Sequence, residues 1–138
     1  MISTWQPRRR RDPSRRNILA LAGPLPDWSA ASALVELNVP GCGFHGKLPA
    51  RLPPRLETLV LGTKGNTVAD ANSFEGGLPA GWADHDCLRL LTACGVGLTV
   101  VEHVPGGLKE IDLRDNPFTD AAAARKVLKK RCKGLVKV

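Results

Sequence analysis

The stretch "LKEIDLRDNPF", residues 108–118, has apolar side chains at its first, fourth, sixth and eleventh positions and an asparagine at its ninth. The same spacing stands upstream. Leu34, Leu37 and Val39 are followed by Cys42 and Phe44, and Leu56, Leu59 and Leu61 open a further unit 22 residues after Leu34. "LPPRLETLVL" (52–61) and "VPGGLKEIDL" (104–113) align without a gap, each starting on an apolar-Pro pair. Self-similarity at a fixed period of 20–50 residues marks a repeat architecture and is tested before any single-element reading.

A second echo agrees. Gly-x-Leu-Pro occurs at 23–26, 46–49 and 76–79, where the Gly, Leu and Pro content predicts far fewer than one. It follows Phe44 and Phe74 at matching distance, so the quartet reads as a seam between units. Glycine lets the chain turn, and proline fixes the backbone where the next segment begins.

The spacing has a direct physical meaning. Residues two apart on a strand face the same side, so the last two apolar positions of L-x-x-L-x-L point inward together. Asn or Cys three positions later can turn inward and bond neighbouring backbone. One such unit cannot bury its own core, so at least three must stack.

With L-x-x-L-x-L-x-x-(N/C)-x-(L/F) at 34–44 and 108–118, and with the Gly-x-Leu-Pro suffix, the sequence resembles the leucine-rich-repeat family. The suffix is similar to that of the plant-type subclass, L-x-G-x-(I/L)-P, also found in repeats of kinetoplastid protozoa. The resemblance covers about residues 19–118. It implies an α/β fold, a short solenoid of about four coils with a parallel sheet on its concave face. It also implies that this face contacts proteins through Glu36, Asn38, Thr58, Val60, Arg89, Leu91, Glu110, Asp112 and Arg114.

The pattern is broken twice. The second unit is eight residues longer than the first, so part of "GTKGNTVADAN" (62–72) is expected to bulge as a loop. The third unit, "CLRLLTACGVGL" (87–98), fits two registers, and Cys87, Leu90 and Thr92 are taken as its inward positions. Trp28 and Trp82, which follow Leu-Pro pairs, are expected in the core. Trp5 suits a hydrophobic anchor for a partner.

The last segment, 119–138, has a different period. Thr119 reads as the N-cap of a helix with Asp120 in its first turn and Gly134 as its stop. Ala121, Ala124, Leu128 and Cys132 recur at helical spacing and would close the open end of the repeats, as terminal units require.

Charge is placed unevenly. Residues 1–16 hold six arginines against Asp12, or +5, and 119–138 hold seven Lys or Arg against Asp120, or +6. The middle, 17–118, has seven basic and eleven acidic residues, or −4, within a total of +7. The chain therefore divides into a basic N-terminal arm (1–18), a repeat body (19–118) and a basic capping helix with its tail (119–138). The arm "RRRRDPSRR" cannot pack into a core or hold a helix. It fits a phosphate-binding arm, a nuclear-import signal, a presequence or a solubilising tail.

Several function classes find no support. There is no P-loop, GxGxxG, HExxH or GxSxG. No apolar run approaches the ~18 residues of a membrane span. "ILALAG" is shorter than the ~7–15 residues of a signal-peptide core, which argues against secretion. Asp84, His85, Asp86, Cys87 and Cys94 invite a zinc or Cys-His reading, but no second close ligand pair accompanies them. The blander reading is a polar turn with small core thiols. The four cysteines form no CxxC pair, which suits reduced thiols in an intracellular compartment. No catalytic residue, metal or cofactor is assigned.

The expected function is therefore binding. Arg8, Arg9, Arg10, Arg11, Arg15 and Arg16 in the arm, with Arg125, Lys126, Lys129, Lys130 and Lys133 on the helix, suit RNA phosphates or an acidic protein surface such as a tubulin lattice. Without tyrosines, and with Phe residues in core positions, base-stacking platforms are scarce. A structural subunit of a ribonucleoprotein, such as a ribosome or mitochondrial ribosome, accounts for both basic ends. The alternative is a free adaptor that binds one protein on its concave face.

Overall fold

The computed structural model describes the backbone of Thr4–Trp5, Leu25, and residues 29–63 and 72–138. The chain is α/β, with a parallel sheet and a single α-helix near its C-terminus among the described residues. In chain order the elements are β1 (Thr4–Trp5), β2 (Glu36–Asn38), β3 (His45–Gly46), β4 (Thr58–Gly62), β5 (Ser73–Phe74), β6 (Leu90–Ala93), β7 (Glu110–Asp112), α1 (Ala121–Arg131) and β8 (Leu135–Lys137). The main sheet runs β1-β2-β4-β6-β7-β8, every neighbouring pair parallel. β3 and β5 form a second, two-stranded parallel sheet.

Register explains why the apolar spacing had to be kept. Leu37, Leu59, Leu91, Ile111 and Val136 are aligned across five strands, and the first four are at most 1% exposed. Val39, Leu61, Ala93 and Leu113 follow two residues on and are all fully buried. Leu34, Leu56, Leu88 and Leu108 precede the strands, and Phe44, Phe74 and Leu98 follow the turns, all inside the same core. Fully burying each Leu or Phe is worth about 1.5–3 kcal/mol, so these columns supply most of the favourable free energy.

The third unit differs from its expected register. Leu88, Leu91 and Ala93 are inward, while Cys87, Leu90 and Thr92 are half-buried. A one-residue slip exchanges the two faces of a strand. The observed choice buries Leu88, Leu91, Ala93, Val96 and Leu98 in series; the other would have put the Thr92 hydroxyl inside. Leu91 is thus a core residue and not part of the open face.

The turns are clamped by two asparagines. Asn116 accepts from the backbone N–H of Val96 (2.9 Å) and Leu98 (3.2 Å), and donates to the carbonyls of Ala93 (2.8 Å) and Leu113 (2.9 Å). Asn72 plays the same part after the long loop. It accepts from Phe44 N–H (2.8 Å) and donates to Val39 O (2.8 Å) and Leu61 O (2.6 Å). The centre of that loop, 64–71, lies outside the described residues, as do Trp28 and the Gly and Pro positions of the first Gly-x-Leu-Pro. In the other two quartets, Gly46 and Gly76 have φ of 87° and 76°, a backbone that favours glycine. The following Leu48 and Leu78 are buried. Trp82 is fully buried and its Nε1 donates to Pro49 O at 2.9 Å.

α1 begins one residue later than expected. Asp120, in extended conformation, is the N-cap and accepts from Ala123 N–H at 3.0 Å. Thr119 instead donates its N–H to Thr99 O at 2.9 Å. Ala124 and Leu128 face the core and Cys132 follows just past the helix, whereas Ala121 is exposed. The chain then returns to the sheet as β8, a strand the helical reading of 119–138 did not contain. Gly134 acts there through close approach: a Cβ on it would run into the Lys109 carbonyl.

Candidate functional site

The helix owes its charge pattern to its amphipathic build. Ala124 and Leu128 use one stripe, and Arg125, Lys126, Lys129 and Lys130 are left exposed. No acidic residue lies in its first turn, while Lys129, Lys130 and Arg131 lie in its last, where cations suit the negative end of the dipole. Arg131 turns back, donating from Nε and Nη2 to Val104 O at 3.1 Å each.

Because β8 follows α1 and pairs with β7, one flank of the helix lies beside the last two strands. A cleft of about 330 Å³ opens there, lined by Arg114, Arg125, Lys129, Val136, Lys137 and Val138. Arg114, expected on the sheet face, and Arg125 and Lys129, expected on the basic helix, thus meet at one place. Lys126, Lys130 and Lys133 do not line it.

Two of the four cations are already paired. Arg114 grips Asp112 in two-point fashion, Nε to Oδ1 at 2.9 Å and Nη2 to Oδ2 at 2.7 Å. Burial pushes the Asp112 carboxyl up, but the hydrogen bonds from Arg114 and the Cys94 thiol outweigh it and hold the group down at about 2. Lys137 Nζ lies 3.4 Å from Glu110 Oε1. Arg125 and Lys129 enter no ion pair among the described residues.

The open face of the sheet carries two ranks of side chains. One runs Glu36, Thr58, Leu90, Glu110 and Leu135; the other Asn38, Val60, Thr92, Asp112 and Lys137. Of the residues assigned to it from sequence, Glu36, Asn38, Thr58, Val60 and Glu110 are there and half-buried. Asp112 is in its rank but only 7% exposed and committed to Arg114. Arg89 precedes β6, and its Nη1 is folded back onto Asp86 O (2.7 Å) and Gly107 O (3.2 Å). Leu90, Thr92, Leu135 and Lys137 join the face without having been assigned to it. The arginines of the arm lie outside the described residues.

The thiols and the histidine turn give no sign of activation. All four cysteines are free, and Cys42, Cys94 and Cys132 are buried. Burial pushes Cys42 and Cys94 up to about 11, and Cys87 is raised as well; a nucleophilic thiol needs the opposite. The His85 ring is spent on structure. Nδ1 accepts from the N–H of Cys87 (3.3 Å) and Leu88 (3.2 Å), which leaves Nε2 to donate to Pro53 O at 2.7 Å. Among the described residues no three His, Cys, Asp or Glu side chains gather as a metal site, and no helix is long and apolar enough to cross a membrane.

Comparison with known proteins returns no match: no family model fits the chain, and no curated protein or solved structure is similar enough to be aligned with it.

Proposed function

We propose that this chain is a non-catalytic leucine-rich-repeat solenoid that works as an interaction subunit of an RNA-containing assembly, its basic C-terminal corner holding the nucleic acid. Strands added in chain order, inward columns kept in register and Asn clamps after β4 and β7 support the solenoid. The observation that carries the function is the convergence of Arg114, Arg125, Lys129 and Lys137 on one cleft. Lys126 and Lys130 on the same helix, with Lys133 just beyond it, widen the positive field around it. Each phosphate neutralised by such a surface releases condensed counterions, so the grip is electrostatic and indifferent to base sequence. The sheet face, small and mixed in charge, would meet neighbouring proteins of the assembly.

The test is affinity purification of the tagged full-length chain from its own cells, with and without ribonuclease, followed by mass spectrometry. Ribonucleoprotein components that disappear with ribonuclease are the expected result. One stoichiometric protein partner retained after ribonuclease would replace this reading with that of a free adaptor binding through the sheet face.

A further inference from the structure

We infer that the cleft between α1 and β8 is a seat for a phosphate monoester. Its polar lining consists of Arg114, Arg125, Lys129 and Lys137. Guanidinium and ammonium groups are donors without acceptor capacity, so the ligand must bring acceptor oxygens and negative charge.

The arrangement separates cations that are fixed from cations that are free. Asp112 and Glu110 hold Arg114 and Lys137 in place. Arg125 and Lys129 have no such partner among the described residues. They stand four apart on one helix, a spacing that brings like charges together and costs stability by itself. An anion between them relieves that repulsion. With two of four cations paired, Arg125 and Lys129 remain to meet an anionic ligand. A phosphate monoester carries about −1.5 to −2 at neutral pH, with three strong acceptor oxygens. A backbone diester carries a single charge. Val136 and Val138, both half-buried, complete the wall.

The seat rests on the proposed function only for the source of the phosphate: in an RNA-containing assembly, a monoester is offered by the phosphorylated end of an RNA. The experiment uses the full-length protein and a short single-stranded oligoribonucleotide carrying either a 5′-phosphate or a 5′-hydroxyl, read by fluorescence anisotropy at ~0.15 M salt. Inorganic phosphate is the competitor and also the ligand in thermal melts. The variants are R125Q/K129Q and K126Q/K130Q, all at exposed positions, with unliganded melts to confirm the fold.

The 5′-phosphate form is expected to bind about tenfold tighter, the value of one or more charge-assisted bonds. That preference should vanish in R125Q/K129Q and survive in K126Q/K130Q, and inorganic phosphate should compete. Equal binding of the two oligonucleotides, or a preference that survives R125Q/K129Q, overturns the seat while leaving RNA binding in force. Absence of RNA binding, with inorganic phosphate raising the melting temperature of the wild type and not of R125Q/K129Q, supports the seat and overturns the RNA reading. No response to phosphate in any form overturns both.

Discussion

Asn72 and Asp112 are the two buried polar side chains among the described residues, 1% and 7% exposed, and they hold their surroundings in opposite ways. Asn72 is neutral and bonds only backbone, linking Phe44, Val39 and Leu61 from two successive units. None of these groups can move away without leaving an orphan in the core. Asp112 is charged and bonds a side chain, Arg114, that itself reaches the cleft. The first contact is a permanent clamp. The second positions a group that can also face a ligand. The interior of the sheet is therefore built to stay fixed, and its last corner to combine order with exposed charge.

Breaking the clamp should have the largest effect. Asn72→Ala strands one N–H and two carbonyls where water does not reach. At about 1–3 kcal/mol for each unsatisfied group, partly relaxed, a loss of about 3–5 kcal/mol is expected. Denaturant unfolding of the purified variant measures it. A loss below about 1 kcal/mol would show that the long loop carries the register without its asparagine.

The corner should yield less, and its loss should depend on pH. The Asp112 carboxyl is held down at about 2 in the fold, against an ordinary value of 3.8. A depressed carboxylate stabilises above its unfolded value and loses that contribution as pH falls through its folded one. Asp112→Asn is therefore expected to cost about 1–2 kcal/mol near neutrality, after allowance for screening. The gap in melting temperature between it and the wild type should close as pH is lowered from about 4 toward 2. A gap that stays constant over that range would assign the effect to shape and not to charge.

The same contrast explains what could be read from the sequence. The clamped interior was legible because it is periodic: Leu34, Leu56 and Leu108, with their partners, repeat one pattern, and the strands fall where it places them. Asn72 could have been added, since Asn72-x-Phe74 repeats Asn116-x-Phe118 once the eight extra residues are set aside. The third unit failed because Leu88, Leu90 and Leu91 put leucine on both parities, so periodicity alone could not choose a face. Only the sum of Ala93, Val96 and Leu98 decides it. The cleft was not legible at all. Arg114 lies just past the end of β7, Arg125 and Lys129 on a helix, and Lys137 on a strand of three residues that follows that helix in the chain. Their meeting depends on β8 returning to pair with β7. The cue available for it was the alternation in "LVKV" after Gly134, too short to outweigh the helical pattern before it.

The smallest effect concerns how α1 is held over the corner. The residue before the alanine run decides which of two adjacent side chains starts the helix, and the geometry assigns the cap to Asp120 at 3.0 Å from Ala123 N–H. Asp120→Ala removes that bond and a favourable charge at the positive end of the dipole, and should cost about 1 kcal/mol. Thr119→Ala removes only an exposed hydroxyl contact of 3.3 Å to Thr99 O and should stay within about 0.5 kcal/mol. Chemical denaturation of both variants ranks them, and the reverse order would return the cap to Thr119. The ranking also bears on the cleft. Fraying from the N-terminal end loosens the turn that carries Arg125 before the one that carries Lys129, so loss of the cap should weaken whatever these two side chains hold jointly more than it weakens the fold.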